Sequence, residues 1–171
     1  VKWTLAFEEV KPDAPVNVAL GSKYEIVGLA PSPDYPDTDN KELTDGARVN
    51  GKYNDSGWVG VLLTGAVREF DVIVTLGDGE TVYDIDKIIV NAGAKGATCG
   101  VTEPNLKSFY SIDGEEWTEF GTYTATDNAD VMSVNATMEV ATPVAAKYIK
   151  VNVTRPKEIG NLMWLGEIEA Y

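Results

Sequence analysis

The residues best suited to chemistry lie in one stretch, Tyr35 to Trp58, which crowds four Asp, one Glu, three Asn and three Gly into 24 residues between two apolar segments. Connections of that length are uncommon inside a compact domain and, when ordered, are usually functional. Taken singly, each Asp reads as solvated surface. Taken together, the carboxylates, hydroxyls and amides form the donor set of a hard cation, because calcium gathers about 6–8 oxygens. Leu43-Thr44-Asp45-Gly46 sets a carboxylate beside a glycine that lets the backbone turn back on itself, and Ser56 offers a hydroxyl. An EF-hand loop is excluded. Counted from Asp37, Lys41 falls on the third ligand position and Glu42 on the one that must be glycine.

Other chemistries are removed by what the chain lacks. It has no His, which excludes Ser-His-Asp, Cys-His and His-metal catalysis together. Carboxylate pairs survive, but Glu115-Glu116 sits on a tight turn where both are expected to be solvated, and Asp37 and Asp39 belong to the loop. Neither offers the two carboxylates about 5–9.5 Å apart across a cleft that a glycosidase needs. The chain is therefore read as a non-enzyme. Cys99 stands alone among small residues, an inert thiol with nothing to activate it. The glycines of Ala92 to Thr102 match no phosphate-loop pattern and read as a loop.

Fourteen basic against 27 acidic residues give a net charge of −13, which argues against nucleic acid and anionic membranes. No apolar run nears the ~20 residues of a membrane helix, so no membrane insertion is expected. Val1 opens directly into a strand-like pattern with no signal peptide, as a mature or excised fragment would.

The elements that must position the acidic stretch are strands. Alternation predicts them over Trp3 to Val10, Val16 to Leu20, Lys23 to Val27, Glu69 to Leu76, Tyr83 to Val90, Leu106 to Ile112, Val131 to Val140, Ala145 to Thr154 and Leu162 to Tyr171, while Trp58 to Leu63 is a continuous apolar run. Asp113-Gly114 marks a hairpin into Glu116 to Phe120. About ten short strands punctuated by Gly, Asp and Pro predict an all-β sandwich, one domain over residues 1–171.

Several of these segments, in order, resemble the discoidin-like or coagulation factor 5/8 type C family, which includes family 32 carbohydrate-binding modules. They are Leu43-Thr44-Asp45-Gly46, the Phe70 to Gly77 strand, Ser111-Ile112-Asp113-Gly114 followed by Trp117, Ala146-Lys147-Tyr148-Ile149-Lys150-Val151, and the closing Glu167-Ile168-Glu169-Ala170-Tyr171. Thr75 stands where the family's strand carries Asp. The resemblance implies a jelly-roll β-sandwich of the galactose-binding-domain type with a structural calcium. It places the ion on the side chains of Asp45, Ser56 and Glu167 and on main-chain carbonyls near Glu42, Ala47 and Gly166. Glu167 is the informative residue, since an unpaired carboxylate in an apolar strand is costly.

The resemblance also implies a glycan ligand, bound by an aromatic ring laid against the sugar with polar groups around it. Tyr53 is the first candidate, with Asn54 beside it. Tyr35 either touches ligand or packs the loop down. Trp58 is kept as a ligand candidate although core or rim packing suits it better. Trp164 is read the same way, three residues before Glu167 and on the opposite face of the strand. The family's ligand-binding His is missing, leaving Arg68, Arg155 and Lys157 as replacements. The expected function is a non-catalytic carbohydrate-binding module with a structural calcium, part of a larger multidomain protein that is secreted or displayed on a bacterial cell surface. The alternative is a protein-binding, adhesion or spacer module of the same fold.

Overall fold

A computed structural model describes residues 14–50, 54–63, 67–94, 101–126, 131–156 and 162–171. Among these are nine strands and no helix: β1 Lys23–Val27, β2 Val59–Leu62, β3 Glu69–Thr75, β4 Tyr83–Gly93, β5 Asn105–Ser111, β6 Thr118–Tyr123, β7 Ser133–Ala146, β8 Tyr148–Thr154 and β9 Leu162–Ala170. They form a five-stranded sheet, β1-β3-β8-β5-β6, and a four-stranded sheet, β2-β9-β4-β7, antiparallel throughout. The two sheets bury a shared core between them, as a β-sandwich does.

Alternation explains most of the core. In β3, Phe70, Val72 and Val74 point inward; in β8, Ile149, Val151 and Val153 meet them in register. Each such side chain removed from water stabilises the fold by about 1.5–3 kcal/mol. The β5–β6 hairpin is closed by side chains: Ser111 Oγ accepts the Gly114 N–H at 2.9 Å, and Asp113 Oδ1 accepts those of Glu115 and Glu116 at 2.9 Å each. Gly114 takes φ +76°, a conformation few other residues adopt cheaply.

Three expectations from sequence change here. Val16 to Leu20 is not a strand, because Asn17 Oδ1 accepts the Ala19 N–H at 3.1 Å and turns the backbone, while still holding the Ala170 N–H. Ala92 and Gly93 belong to β4 rather than to a loop. β7 runs through Pro143 to Ala146, which is tolerated because β7 lies at the edge of its sheet. The expected strand over Trp3 to Val10, like Cys99, lies outside the described residues.

Two irregularities set which side chains face where. In β4 the register with β7 slips between Ile85 and Lys87, so that Ile85 and Ile88, three apart, both enter the core. In β9 Asn91 pairs with Glu167 and Ala92 with Leu165, leaving Gly166 as an extra residue. Met163, Leu165, Ile168 and Ala170 therefore point into the sandwich, and Trp164, Glu167 and Glu169 share its outer face. The expected placement of Trp164 opposite Glu167 is overturned by this bulge. A Cβ at position 166 would fall 2.3 Å from Asn91 Oδ1 and 2.9 Å from Val49 Cγ2. Gly166→Ala is accordingly expected to cost about 1–3 kcal/mol through overpacking, read as a lower urea midpoint with unchanged slope.

Candidate ligand cleft and cation site

The acidic stretch is laid over the outer face of β9. Leu43 O accepts the Ile168 N–H at 2.7 Å, and the Thr44 hydroxyl donates to Ser22 O at 2.7 Å. Arg48 grips Glu169 with both arms of its guanidinium, Nε reaching Oε1 at 2.6 Å. The Val49 N–H donates to Asn91 Oδ1 at 2.9 Å, and Asn91 Nδ2 donates onward to Asn135 Oδ1 at 3.0 Å. β2 covers only the first half of β9, and this strap takes over where β2 stops. A strand buried on both faces at every position from Met163 to Ala170 is the result.

Beneath the strap sits Glu167, 0% exposed, with neither carboxylate oxygen receiving a well-formed hydrogen bond. Burial pushes this carboxyl up to about 8, and the neighbouring Asp45 carboxylate adds to the shift against the opposing pull of the Gly46 N–H. Asp45 is itself exposed and spends Oδ1 on the Ala47 N–H at 2.8 Å. Two carboxylates side by side, one dry and unpaired, need a proton or a cation. The donor set fits a hard cation. Among the described residues no three Asp, Glu, Cys or His gather, so any such ion depends on neutral oxygens as well. Ser56 is exposed and adjoins Gly57, which abuts Val49 as Gly166 does. The Glu42 carboxylate is turned away, accepting the Thr38 N–H at 2.9 Å, which leaves only its carbonyl for that role.

The loop is also pinned at its near end. Tyr24 donates to Asp37 Oδ1 at 2.8 Å, and Asp37 faces Glu42. Burial and then the Glu42 carboxylate push Asp37 up to about 6; Glu42, despite its own burial, is held down to about 2 by Asp37 and the Thr38 and Lys41 N–H groups. The pair thus holds one proton, on Asp37, at mildly acidic pH.

A cleft of about 360 Å³ opens beside the strap, lined by Asp34, Tyr35, Pro36, Thr38, Asn54, Asp55, Ser56 and Trp58. Its floor is a second apolar cluster outside the sandwich, where Trp58 stacks on Trp164 at 5.4 Å and Tyr35 leans on Trp164 at 4.9 Å. Tyr35 packs the loop down on Trp164 and also lines the cleft. Trp58 is 1% exposed, so packing is its main role and only an edge reaches the cleft. Asn54 lines the cleft and is exposed; Arg68 and Arg155 are not among the lining residues; Tyr53 and Lys157 lie outside the described residues.

Sequence reasoning missed Asn91, Arg48 and Glu169, which hold the strap, and Asp34 and Thr38, which line the cleft. Glu169 was detectable, being a second carboxylate at period two in the same apolar strand as Glu167. Arg48→Ala leaves the Glu169 side chain, 7% exposed, without its cation, and is expected to cost about 1–3 kcal/mol in urea unfolding. The same change in a Glu169→Gln background is expected to cost less, a coupling measured by the double-mutant cycle.

No protein-family model matches the sequence, and no curated protein matches it. Solved structures do. Chitosan-binding module 1 of a chitosanase/glucanase from Paenibacillus sp. IK-5 superposes with a TM-score of 0.59 at 19% identity, covering 92% of this chain and 99% of that one. A family 32 carbohydrate-binding module of a family 31 glycoside hydrolase from Clostridium perfringens gives 0.57 at 20% identity, covering 91% and 96%. The module CpGH89CBM32-5 from Clostridium perfringens, solved with GalNAc-β-1,3-galactose, gives 0.60 at 16% identity, covering 91% and 99%. The chain has the discoidin-like jelly-roll fold of the family 32 carbohydrate-binding modules.

Proposed function

We propose that this chain is a non-catalytic carbohydrate-binding module, which targets a parent secreted or cell-surface protein to a glycan and keeps a structural calcium ion beside its ligand cleft. The observation that carries this reading is the cleft itself: a tyrosine and a tryptophan edge set among an amide, hydroxyls and carboxylates, at the small end of the roughly 300–1,000 Å³ of ligand pockets. The structural neighbours support it, being named as modules for chitosan and as complexes with GalNAc-β-1,3-galactose and galactose. A pyranose would lay its apolar face on Tyr35 while Asn54 and Thr38 exchange hydrogen bonds with its hydroxyls. With no His in the chain, the cleft carries no positioned imidazole base. Weak affinity at one cleft suffices for targeting, because tethering raises the local concentration of whatever the module is joined to.

Calcium would supply counter-charge to Asp45 and Glu167, with Ser56 and the carbonyls of Glu42, Ala47 and Gly166 completing its shell. The orphaned Glu167 carboxylate is the support for this. The ion would tie the strap to β9 and so hold one wall of the cleft.

Affinity electrophoresis against plant, starch and mucin glycans is expected to show retardation on at least one, weakened in Asn54→Ala; no retardation on any glycan by the calcium-loaded protein would sink the carbohydrate reading. Chelation is expected to lower the melting temperature by about 5–10 °C relative to saturating calcium. Asp45→Ala or Glu167→Ala should abolish that difference, and identical melting curves with and without chelator would remove the ion.

A further inference from the structure

Resting on that reading of the cleft, we infer that its ligand is a cationic amino sugar, a glycan whose exposed units carry free ammonium groups, rather than a neutral or N-acetylated one. The cleft walls include two carboxylates, Asp34 and Asp55, and no Lys or Arg among the described lining residues. Among the described residues neither acid pairs with a Lys or Arg. Asp34 donates its backbone N–H to Ser32 Oγ at 3.3 Å, and Asp55 Oδ1 accepts the Gly57 N–H at 3.0 Å. Of the other carboxylates near the cleft, Asp37 and Glu42 are committed to each other and to Tyr24 and the Thr38 N–H, Glu169 of β9 to Arg48, and Asp39 is exposed but does not line the cleft. Asp45 and Glu167 together match the charge of one divalent ion. Asp34 and Asp55 are the two acids that line the cleft.

A neutral sugar would be served by amides and hydroxyls, which make hydrogen bonds without a desolvated charge. Two free carboxylates around a partly enclosed space instead reward a ligand that brings positive charge, and the chain's net charge of −13 would draw such a ligand in from a distance. Tyr35 adds to this, since an ammonium near an aromatic face is attracted by the ring as well as by the acids. An N-acetyl group at the same position would remove the charge and leave both carboxylates facing an uncharged amide.

The test is calorimetric titration of the calcium-loaded protein with soluble glucosamine oligomers, the matching N-acetylglucosamine oligomers, and a neutral galactose disaccharide. Tighter binding of the glucosamine oligomer is expected, weakened by added salt and reduced about tenfold by Asp34→Asn or Asp55→Asn. Asparagine keeps the Oδ1 that Gly57 needs, so the fold should survive, as a melting curve would verify. Glu115→Gln, on the exposed β5–β6 turn, controls for diffuse attraction and should change little. Equal or tighter binding of the acetylated or neutral sugars overturns the inference while leaving a carbohydrate module. Equal loss in Glu115→Gln overturns it too, since net charge alone would then explain the binding. Binding of none of the three sugars overturns it as well, and the glycan panel above then decides separately whether the carbohydrate reading stands.

Discussion

The arrangement depends on a carboxylate that has been taken out of water without a partner. Glu167 lies in the middle of a strand covered on both faces, and Asp45 is brought against it by the loop that does the covering. Burying an unpaired charge costs several kcal/mol, so the strap cannot be held by apolar contact alone. It is held by polar clamps on either side of Glu167: the Ile168 to Leu43 backbone bond, the Arg48–Glu169 pair, and Asn91 reaching up to Val49. These clamps position the strap and leave the buried Glu167 carboxyl without a hydrogen-bond partner.

The Gly166 bulge makes this possible. Without the extra residue, strict alternation would send Trp164 and Glu167 to opposite faces of β9. With it, the tryptophan and both carboxylates appear on one outer face, apolar at the β2 end and acidic at the other. The apolar end receives Trp58 and Tyr35 and becomes a cluster separate from the sandwich core. The acidic end receives Asp45 and Arg48. The cleft forms where the first of these is exposed at its rim, so the floor that would meet a ligand is fixed by packing while its polar walls come from the loop.

The long loop is therefore better described as a third layer than as a connection. Its first part runs beside β2, with Ser32 donating to Gly60 O at 2.6 Å and Gly60 to Tyr35 O at 3.0 Å, covering what would be an open sheet edge. Its middle is pinned by Tyr24 and the Asp37–Glu42 pair, and its later part is the strap. Each described segment of it thus satisfies backbone groups or covers apolar surface, which explains how so polar a stretch holds its place without secondary structure of its own.

Much of this was legible beforehand. Period-two alternation marked β1, β3, β5 and β8 because each has one face in the core, and turn residues at Asp113-Gly114 marked the hairpin because only short polar side chains and glycine close it. The density of oxygen donors between Tyr35 and Trp58 marked the loop that lines the cleft, and an acid in an apolar strand singled out Glu167. What sequence could not reveal were register and layer. The bulges at Asp86 and Gly166 change which face a residue occupies by one position, and a local pattern carries no trace of the partner strand that defines them. Arg48 and Glu169, 121 residues apart, pair only because β9 is central and the strap crosses it. Composition and periodicity are local properties and determined the strands and the chemistry available; the cleft and the buried carboxylate arise from contacts between distant segments, and only the tertiary structure decided them.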